Sequence, residues 1–404
     1  MTAPAGSIRR VARVSPAESR AELDQAYDLF ARGFPPSYFE AQAYFDFLRG
    51  HEPPVALDNH LLAWSAEGAL AGAIRIVDRT MTIDGVPMTT AGMSYYAIAP
   101  PFQSGDCGRR LIDALFTLVS ARGYDLSVGI ARRVMDGYWS RFGFIGFGGF
   151  HTLTTSAKVL RSLGAATKID LRVVLPAESI DLAEFHAKGY ESVSGALLRD
   201  ARYWQWWFSR LRRRRDLTLS VFRDSGDAVG YVVQKGSAVI EIGARSGALT
   251  DCLVALGGET TGDVVFNLAP NHPVATILNR TNYTASSRRA WTGGYIMKVN
   301  DRHRFLAKLH ARLEHRLRVR STAPFAIECN EVAFSWDGNA VALGAASGAS
   351  GVTRIGFDTN EWPKLLLGLA EPPQLKGFSC SGHSELLSLL FPVLTPQMPE
   401  LDEF

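Results

Sequence analysis

The order of the predicted secondary-structure elements constrains the fold of this 404-residue chain more than any other feature. Apolar residues that alternate predict strands, and apolar residues three and four positions apart predict helices. A first segment has the order β-α-α-β-β-β-α-β-α-β, and a second segment partly repeats this order. Strands interleaved with helices in this way are typical of an α/β (α+β) fold.

Local signals support several elements of the first segment. Ser15, Pro16 and Glu18 predict a helix start, because they supply an N-cap, a first helical proline and a capping-box glutamate. Asp84-Gly85 predicts a tight hairpin turn. The predicted elements are a strand at 7–14, helices at 16–31 and 38–48, strands at 60–65, 70–82 and 86–99, a helix at 108–121, a strand at 124–130, a short helix at 138–142 and a strand from 144.

The rest of the chain divides into two further segments and a tail. The second segment is predicted to contain a helix at 196–214, strands at 217–222, 228–234 and 238–242, a helix at 247–256, a strand at 264–268, a helix at 273–280 and a strand at 295–299. The third is predicted to contain an amphipathic helix at 302–319, strands at 325–329, 332–336, 341–343 and 353–357, and helices at 360–369 and 384–391. The tail 392–404 has three prolines and no periodicity, so we expect it to be extended.

Composition excludes several classes of protein. A formal charge of +3 is too small to indicate a nucleic-acid partner. We expect no membrane span and no signal peptide, because long apolar runs and an apolar N-terminal region are both lacking. Cysteines 107, 252, 329 and 380 have no C-x-x-C spacing, which is typical of reduced thiols and not of disulfides or a zinc site. We therefore expect a cytoplasmic protein that holds no metal.

The run MSYYAIAPPFQSGDCGRRLIDAL, residues 93–115, predicts a strand, a loop with glycines and a helix in direct succession. A strand that enters a helix through small residues exposes several N–H groups at the helix N-terminus, where the helix dipole also favours an anion. The pattern predicts a site for a pyrophosphate or another anion. The alternative is a strand–helix junction that binds nothing.

This run resembles the central block of GNAT-superfamily acyltransferases, and GYWSRFGFIGFG at 137–148 resembles their short helix and Gly-Phe turn. With the third segment and the final Asp-Glu-Phe, the chain is similar to acetyltransferases of the Eis (enhanced intracellular survival) type. The resemblance implies two tandem GNAT-like domains with mixed central sheets, at 1–160 and 161–300. A smaller sterol-carrier-like α/β domain at 301–404 would follow them.

The resemblance also implies acetyl-CoA as co-substrate. Backbone groups of Tyr96, Ala97 and Ile98 would position the pantetheine and the thioester. The pyrophosphate would lie on a loop made of Gln103, Ser104, Gly105, Asp106, Cys107, Gly108 and Arg109.

The loop departs from the family pattern Arg/Gln-x-x-Gly-x-Gly/Ala. Gln103 and Gly108 match it, whereas Asp106 replaces the middle glycine and Gly105 replaces a basic residue. A carboxylate repels a pyrophosphate, and a side chain prevents close approach of the backbone. The pair Arg109-Arg110 could partly compensate.

Two catalytic residues are implied by the resemblance. The family tyrosine that protonates the departing thiolate corresponds to Trp139, so the adjacent Tyr138 is the candidate acid. Neighbours on a helix point about 100° apart, so Tyr138 substitutes only if the turn is rotated, and both aromatics could instead be packing residues. The terminal carboxylate of Phe404 would be the general base, provided that the tail is ordered and not frayed.

The leading hypothesis is therefore acetyl transfer to an amine of a small molecule or of a lysine. One alternative is a repurposed GNAT-like biosynthetic enzyme that no longer uses CoA, and another is a non-catalytic ligand-binding protein. The family assembles into hexamers, so the resemblance implies a homo-oligomer. We interpret the arginine run 210–215 as a solvated helix end, and Trp204, Trp206 and Trp207 as core residues.

Overall fold

The computed structural model contains three β-sheets, of seven, seven and five strands, and so confirms the three-part α/β (α+β) fold. It describes residues 10–33, 45, 56–131, 137–147, 149–165, 168–174, 181–289, 294–320, 322–347, 352–382 and 384–398. The helix predicted at 38–48 lies outside these residues, apart from Phe45.

The first sheet has the strand order β1-β2-β3-β4-β5-β14-β6. Its strands are β1 (Val11–Pro16), β2 (His60–Ser65), β3 (Leu70–Ile83), β4 (Val86–Ile98), β5 (Leu126–Ala131), β6 (Ile145–Gly146) and β14 (Gly294–Val299). Helices α1 (Arg20–Gly33) and α2 (Cys107–Ala121) cover its two faces. Because successive strand residues point to opposite faces, Leu61 of β2 packs in the α2 core and Leu62 in the α1 core.

The second sheet has the order β13-β7-β12-β11-β10-β9-β8, which repeats the first topology. Its strands are β7 (Gly149–Ser156), β8 (Asp170–Val173), β9 (Thr218–Asp224), β10 (Asp227–Lys235), β11 (Ala238–Ala244), β12 (Asp263–Phe266) and β13 (Thr284–Arg289). Its helices are α3 (Ala157–Arg161), α4 (Ala183–Tyr190), α5 (Ala201–Arg213), α6 (Leu249–Glu259) and α7 (Pro273–Leu278). The parallel pair β11 and β12 is joined through α6, as β4 and β5 are joined through α2.

The first sheet contains a strand from the second segment of the chain, and the second sheet contains a strand from the first segment. β14 lies antiparallel between β5 and β6, with Met297 opposite both Val128 and Ile145. β7 lies between β12 and β13. The prediction that the strand at 295–299 completes the second segment is therefore wrong, since long-range pairing places it in the first sheet. The domain limits at 160 and 300 stay predictions, and the pairing of β7 with β12 crosses the first of them.

The third sheet has the order β17-β16-β15-β18-β19. Its strands are β15 (Phe325–Cys329), β16 (Val332–Trp336), β17 (Val341–Ala345), β18 (Thr353–Gly356) and β19 (Ser379–Cys380), and its helices are α8 (Arg302–Val319), α9 (Trp362–Leu366) and α10 (Ser384–Leu390). The limits predicted for α8 are confirmed. One continuous core joins all three parts, because Met81, Trp207 and Phe334 belong to the same buried cluster.

Helix α8 attaches the third part to the first through a row of basic residues. Four cations recur every fourth position and so lie on one helix face: Arg304, Lys308, Arg312 and Arg316. The first two contact the buried carboxylate of Asp125 at 3.2 and 2.5 Å. The last two contact the buried carboxylate of Asp84. The β3–β4 turn and the start of β5 are thereby held against α8.

Buried histidines predict a loss of stability in mild acid. Burial lowers the pKa of His60 to about 3 and that of His272 to about 4. Burial, followed by the charge of Arg199, lowers the pKa of His186 well below its usual value. An unfolded histidine titrates near pH 6.5, so the unfolded chain binds more protons below that pH. Each of these histidines should therefore cost about 1.4 kcal/mol of stability per pH unit below pH 6.5, until the pH reaches its folded pKa.

Urea unfolding at pH 8, 6.5, 5.5 and 5 measures this effect. We expect a midpoint that is constant above pH 7 and falls steadily below pH 6.5. The variant His60→Gln should have a shallower pH dependence, whereas His303→Gln, at an exposed position, should match the parent protein. An unchanged midpoint between pH 7 and pH 5 would contradict the prediction.

Candidate active site

A β-bulge in β4 opens the first sheet beside the predicted coenzyme loop. β4 pairs with β5 as far as Met93 and Gly129, and among the described residues the pairing ends there. On the other edge of β4 the register against β3 shifts, so that Tyr95 and Tyr96 together oppose Ile74. Tyr95 has a left-handed backbone, with φ of 51°. The extra residue bends the strand, and β4 and β5 diverge beyond this point.

Within the described part of the chain, the divergence leaves the last part of β4 without a partner strand on the β5 side. This part contains Tyr96, Ala97 and Ile98, the residues that the resemblance assigns to the pantetheine. Unpaired strand backbone can hydrogen-bond an extended amide chain in the way that a neighbouring strand would. The structure therefore places these three residues where such a chain could lie.

The predicted loop connects this end of β4 to the N-terminus of α2. Gln103 folds back on the strand, and its Nε2 donates to the Ile98 carbonyl at 3.1 Å. Asp106 is the N-cap residue of α2, and its exposed side chain makes no capping hydrogen bond. The first N–H groups of a helix have no partner within the helix, so Cys107 and Gly108 offer donors at this point. Ser104 and Gly105 complete the turn.

Gly108 allows a tyrosine to approach the helix start. A Cβ at this position would lie 2.5 Å from Tyr96 Oη and 3.0 Å from Ile98 Cδ1, so only glycine fits. Cys107 faces the other way, and a Cβ at Gly72 would lie 2.8 Å from its Sγ. Burial and the neighbouring Asp106 charge raise the pKa of Cys107 to about 11. This thiol therefore packs α2 against β3 as a neutral group.

The two arginines after the loop differ in what they contact. The Arg110 guanidinium donates to the backbone carbonyls of Val11 and Ala12 and so fastens α2 to β1. Arg109 is largely exposed and lies 3.8 Å from Asp113. Arg110 is already hydrogen-bonded to β1. Arg109 is therefore the arginine that remains to offset the negative charge of Asp106.

Tyr138 and Trp139 take different positions. Trp139 is buried and packs on the Phe144 ring, with centroids 5.5 Å apart. Tyr138 is half-buried, and its hydroxyl lies 3.4 Å from that of Tyr96, beside the start of α2. The short turn that carries them ends at Gly143, which has φ of 82°. Of these two side chains, Tyr138 is therefore the one that lies near the opening between β4 and β5, which we call the split, and it presents a hydroxyl there.

Phe404 lies outside the described residues, so its role stays a prediction. The described tail extends to Met398, which is buried. Residues 392–398 contain neither helix nor strand, and Thr395 has a left-handed backbone with φ of 45°, so this stretch is not extended throughout; the expectation of an extended tail over 399–404 stays a prediction. Among the described residues, no group of three or more His, Cys, Asp or Glu side chains could hold a metal ion. None of the helices described is long and apolar enough to cross a bilayer.

A buried ionic network in the second half was not predicted. Arg199 donates to both oxygens of Glu241, at 2.8 and 2.6 Å, and Tyr231 donates to Glu241 Oε1 at 2.7 Å. The guanidinium lies over the rings of Trp204 and Trp207. A signal existed, because Glu241 is the one charged residue in the apolar run AVIEIGA of β11. The prediction that the tryptophans are core residues is confirmed.

The first sheet is mixed, it opens between β4 and β5, and the N-terminus of α2 lies at the opening. This arrangement is that of an acyltransferase-type domain. Residues 14–146 match the family model described as an acetyltransferase (GNAT) domain. Among curated protein sequences, none matches the chain.

Solved structures extend the likeness to the full length. A GCN5-related N-acetyltransferase from Kribbella flavida is 18% identical with a TM-score of 0.65, and the match covers 98% of this chain and 99% of that one. One from Anabaena variabilis is 15% identical with a TM-score of 0.67, covering 97% and 100%. Eis1 from Mycobacterium abscessus is 16% identical with a TM-score of 0.64, also covering 97% and 100%. At these identities the likeness shows the fold, which is of the Eis type.

Proposed function

We propose that this protein is an acyl-CoA-dependent N-acyltransferase that moves an acetyl group to an amine of a small molecule or of a lysine. One observation carries the proposal: the bulge at Tyr95 and Tyr96 leaves the end of β4 unpaired beside the start of α2. Tyr138 presents a hydroxyl at the same place. The family match over 14–146 supports this assignment. A homo-oligomer and an amine substrate are parts of the same proposal.

The described residues fit the pantetheine arm better than the pyrophosphate. Unpaired β4 backbone and the glycine at 108 favour an extended chain that ends at α2. The Asp106 carboxylate opposes an anion at the helix start. Two unit charges 4 Å apart interact by about 1 kcal/mol in water, which corresponds to roughly a fivefold change in affinity. Asp106 should therefore weaken the binding of acetyl-CoA without preventing it.

Each residue has a defined part in the reaction. Acetyl-CoA, when bound, supplies a thioester, whose C–S bond breaks as the C–N bond to the amine forms. The unpaired backbone at Tyr96 to Ile98 would orient the acyl carbon for the amine, and this orientation supplies much of the acceleration. Phe404 would accept the proton that the amine loses, and Tyr138 would donate a proton to the departing sulfur. All atoms and charges balance with these two proton transfers.

The described cavities do not favour the ligand-binding alternative. The third part contains a cavity of about 480 Å³ beside β15, β18 and β19. Its wall includes Glu328, Arg354 and Ser381, and the Glu328 carboxylate already accepts bonds from Ser347 and Arg354. Charged groups in the wall favour a ligand with a polar part over a wholly apolar one.

Titration calorimetry with acetyl-CoA tests the proposal. We expect the protein to bind acetyl-CoA with a Kd below 1 mM. We expect Asp106→Asn to tighten binding about fivefold at low salt and less at high salt, because the effect is electrostatic. Asp251→Asn is the matched control, since Asp251 lies in the first turn of the equivalent helix α6 and should leave the affinity unchanged.

Two outcomes would overturn the proposal. Absence of heat with millimolar acetyl-CoA in the parent protein and in Asp106→Gly would exclude a CoA enzyme. Affinity that appears only in Asp106→Gly would favour the alternative in which the scaffold no longer uses CoA.

A further inference from the structure

Two tyrosine hydroxyls meet at the split. Tyr96 belongs to the last part of β4, and Tyr138 belongs to the short turn that follows β5 along the chain. Their hydroxyl oxygens lie 3.4 Å apart, within hydrogen-bonding reach. The contact is longer than a usual hydroxyl hydrogen bond of about 2.8 Å, and catalytic hydrogen bonds commonly tighten once the substrate is bound. The two strands that part are thus joined again by one pair of polar atoms.

Aromatic packing holds both rings in place. The Tyr96 ring packs edge-on against Trp139, with centroids 5.8 Å apart. The Tyr138 ring packs edge-on against Trp139 and Phe142, with centroids 5.5 and 5.3 Å apart. Trp139 itself is buried. One buried tryptophan therefore supports both tyrosines and limits how far their hydroxyls can move apart.

Gly108 lets the start of α2 approach the same two hydroxyls. A Cβ at this position would lie 2.5 Å from Tyr96 Oη and 3.5 Å from Tyr138 Oη. A side chain here would push the Tyr96 hydroxyl away from Tyr138. The glycine therefore preserves the pair at the point where β4, the turn and α2 meet.

The direction of the hydrogen bond is fixed once Tyr138 has lost its proton. Burial, followed by the contact with Tyr138, raises the pKa of Tyr96 well above its usual value. Tyr96 therefore keeps its proton and remains a donor. A tyrosine without its proton can only accept a hydrogen bond. In that state the Tyr96 O–H donates to the Tyr138 oxygen.

The other ionisable groups of the adjoining elements leave this role to Tyr96. They are Asp106, Cys107, Arg109 and Arg110 on the loop and α2, and Arg141 on the turn. Cys107 is a neutral thiol that packs against β3, and Arg110 is hydrogen-bonded to β1. The remaining three side chains are exposed, so water and salt screen their charges. Tyr96 is therefore the group best placed to act on Tyr138.

We infer that Tyr96 is a positioning residue, which orients the Tyr138 hydroxyl and donates a hydrogen bond to its oxygen after the proton has left. This inference rests on the proposed function, in which Tyr138 is the acid. In that step the C–S bond breaks, its electron pair stays on sulfur, and the Tyr138 proton moves to the sulfur. The negative charge left on Tyr138 is stabilised by the Tyr96 O–H, since hydrogen bonds to charged groups are the stronger ones. Tyr138 then regains a proton from water, and Tyr96 keeps its own throughout.

Carbon-13 NMR of protein labelled at the phenolic carbon of tyrosine follows the ionisation of Tyr138 and needs no activity. The chain contains 12 tyrosines, so the signal that disappears in Tyr138→Phe identifies the residue. We expect Tyr96→Phe to move the titration midpoint of this signal up by about one pH unit, because the charged form loses a hydrogen bond. Tyr283→Phe is the matched control, since the Tyr283 hydroxyl donates to Asn279 in the second part and its loss should leave the midpoint unchanged.

Kinetics separates a positioning role from a merely structural one. Tyr96→Phe keeps the ring against Trp139 and should lower kcat for acetyl transfer about three- to tenfold, with the KM for acetyl-CoA unchanged. The alkaline limb of the kcat profile should move to higher pH together with the NMR midpoint. The double variant Tyr96→Phe with Tyr138→Phe should be no slower than Tyr138→Phe alone, because Tyr96 acts through the Tyr138 hydroxyl. Tyr283→Phe should change none of these quantities.

The outcomes distinguish this inference from the proposed function. An identical midpoint of the Tyr138 signal in the parent protein and in Tyr96→Phe would overturn the inference, even in an active enzyme. Losses in kcat that multiply in the double variant would also overturn it, since they indicate two independent effects. A shifted midpoint in a protein that transfers no acetyl group would support the hydroxyl pair and reject the proposed function.

Discussion

Removal of Phe404 should lower kcat for acetyl transfer about 100- to 1000-fold and leave the KM for acetyl-CoA within about threefold of the parent value. The truncation withdraws the proposed base by one residue, about 3.5 Å, which is more than a proton transfer tolerates. The proposed coenzyme contacts of β4 and α2 are untouched, so the truncated protein should bind acetyl-CoA as the parent protein does. Steady-state release of free thiol over a range of amine concentrations measures both constants.

Two further variants test the assignment of the base and the acid. Addition of a single glycine after Phe404 keeps the ring but moves the carboxylate, and it should reduce kcat as strongly as the truncation. Tyr138→Phe keeps the packing against Trp139 and Phe142 and loses only the hydroxyl. Its kcat should fall less, about 10- to 100-fold, because water can partly replace an acid. Full activity of the truncated protein would exclude Phe404 as the base.

Replacement of Glu241 by leucine should lower the free energy of unfolding by about 3–5 kcal/mol, because it removes the carboxylate that forms a buried ion pair with Arg199. The side chains of Arg199 and Glu241 are both 0% exposed, and they are joined by two hydrogen bonds. The loss should appear in urea unfolding followed by tryptophan fluorescence, since Trp204 and Trp207 lie against the guanidinium.

Two control variants separate the effect of burying the ion pair from the effect of removing one of its charges. Asp170→Ala breaks an ion pair with Arg172 in which the two side chains are 48% and 72% exposed, and it should leave the unfolding midpoint nearly unchanged. The double variant Arg199→Met with Glu241→Leu should recover much of the loss, because both charges of the buried pair are removed together. A loss below 1 kcal/mol in Glu241→Leu, or no recovery in the double variant, would contradict this account.

Local chemistry made part of the fold predictable. The Asp84-Gly85 turn, the limits of α8 and the burial of Trp204 and Trp207 follow from residues close together in the chain. Helix periodicity and turn propensity act over a few residues, so a single sequence carries this information directly. The position of the loop 103–106 directly before α2 was predictable for the same reason, whereas its binding of an anion stays a prediction.

The candidate site itself was only partly predictable. The sequence pattern identified Tyr138 and Trp139 as two candidates. The rotation of the short turn that carries them decides which side chain lies near the split. The bulge at Tyr95 has no local signal, since a tyrosine with positive φ is unfavourable on its own. It exists because pairing with β3 on one edge and with β5 on the other holds the strand in place around it.

The sequence by itself determined most of the longer helices and strands, the three-part architecture and the run of residues in which a coenzyme loop had to be sought, but not α3, β8, α4 or β13. Only the tertiary structure decided the exchange of β7 and β14, the opening of the sheet and the path of the tail to Met398. The reason is physical. Helices and turns are stabilised by neighbours in the chain, whereas strand partners and a docked tail are selected by residues more than a hundred positions away, through packing that no local pattern encodes.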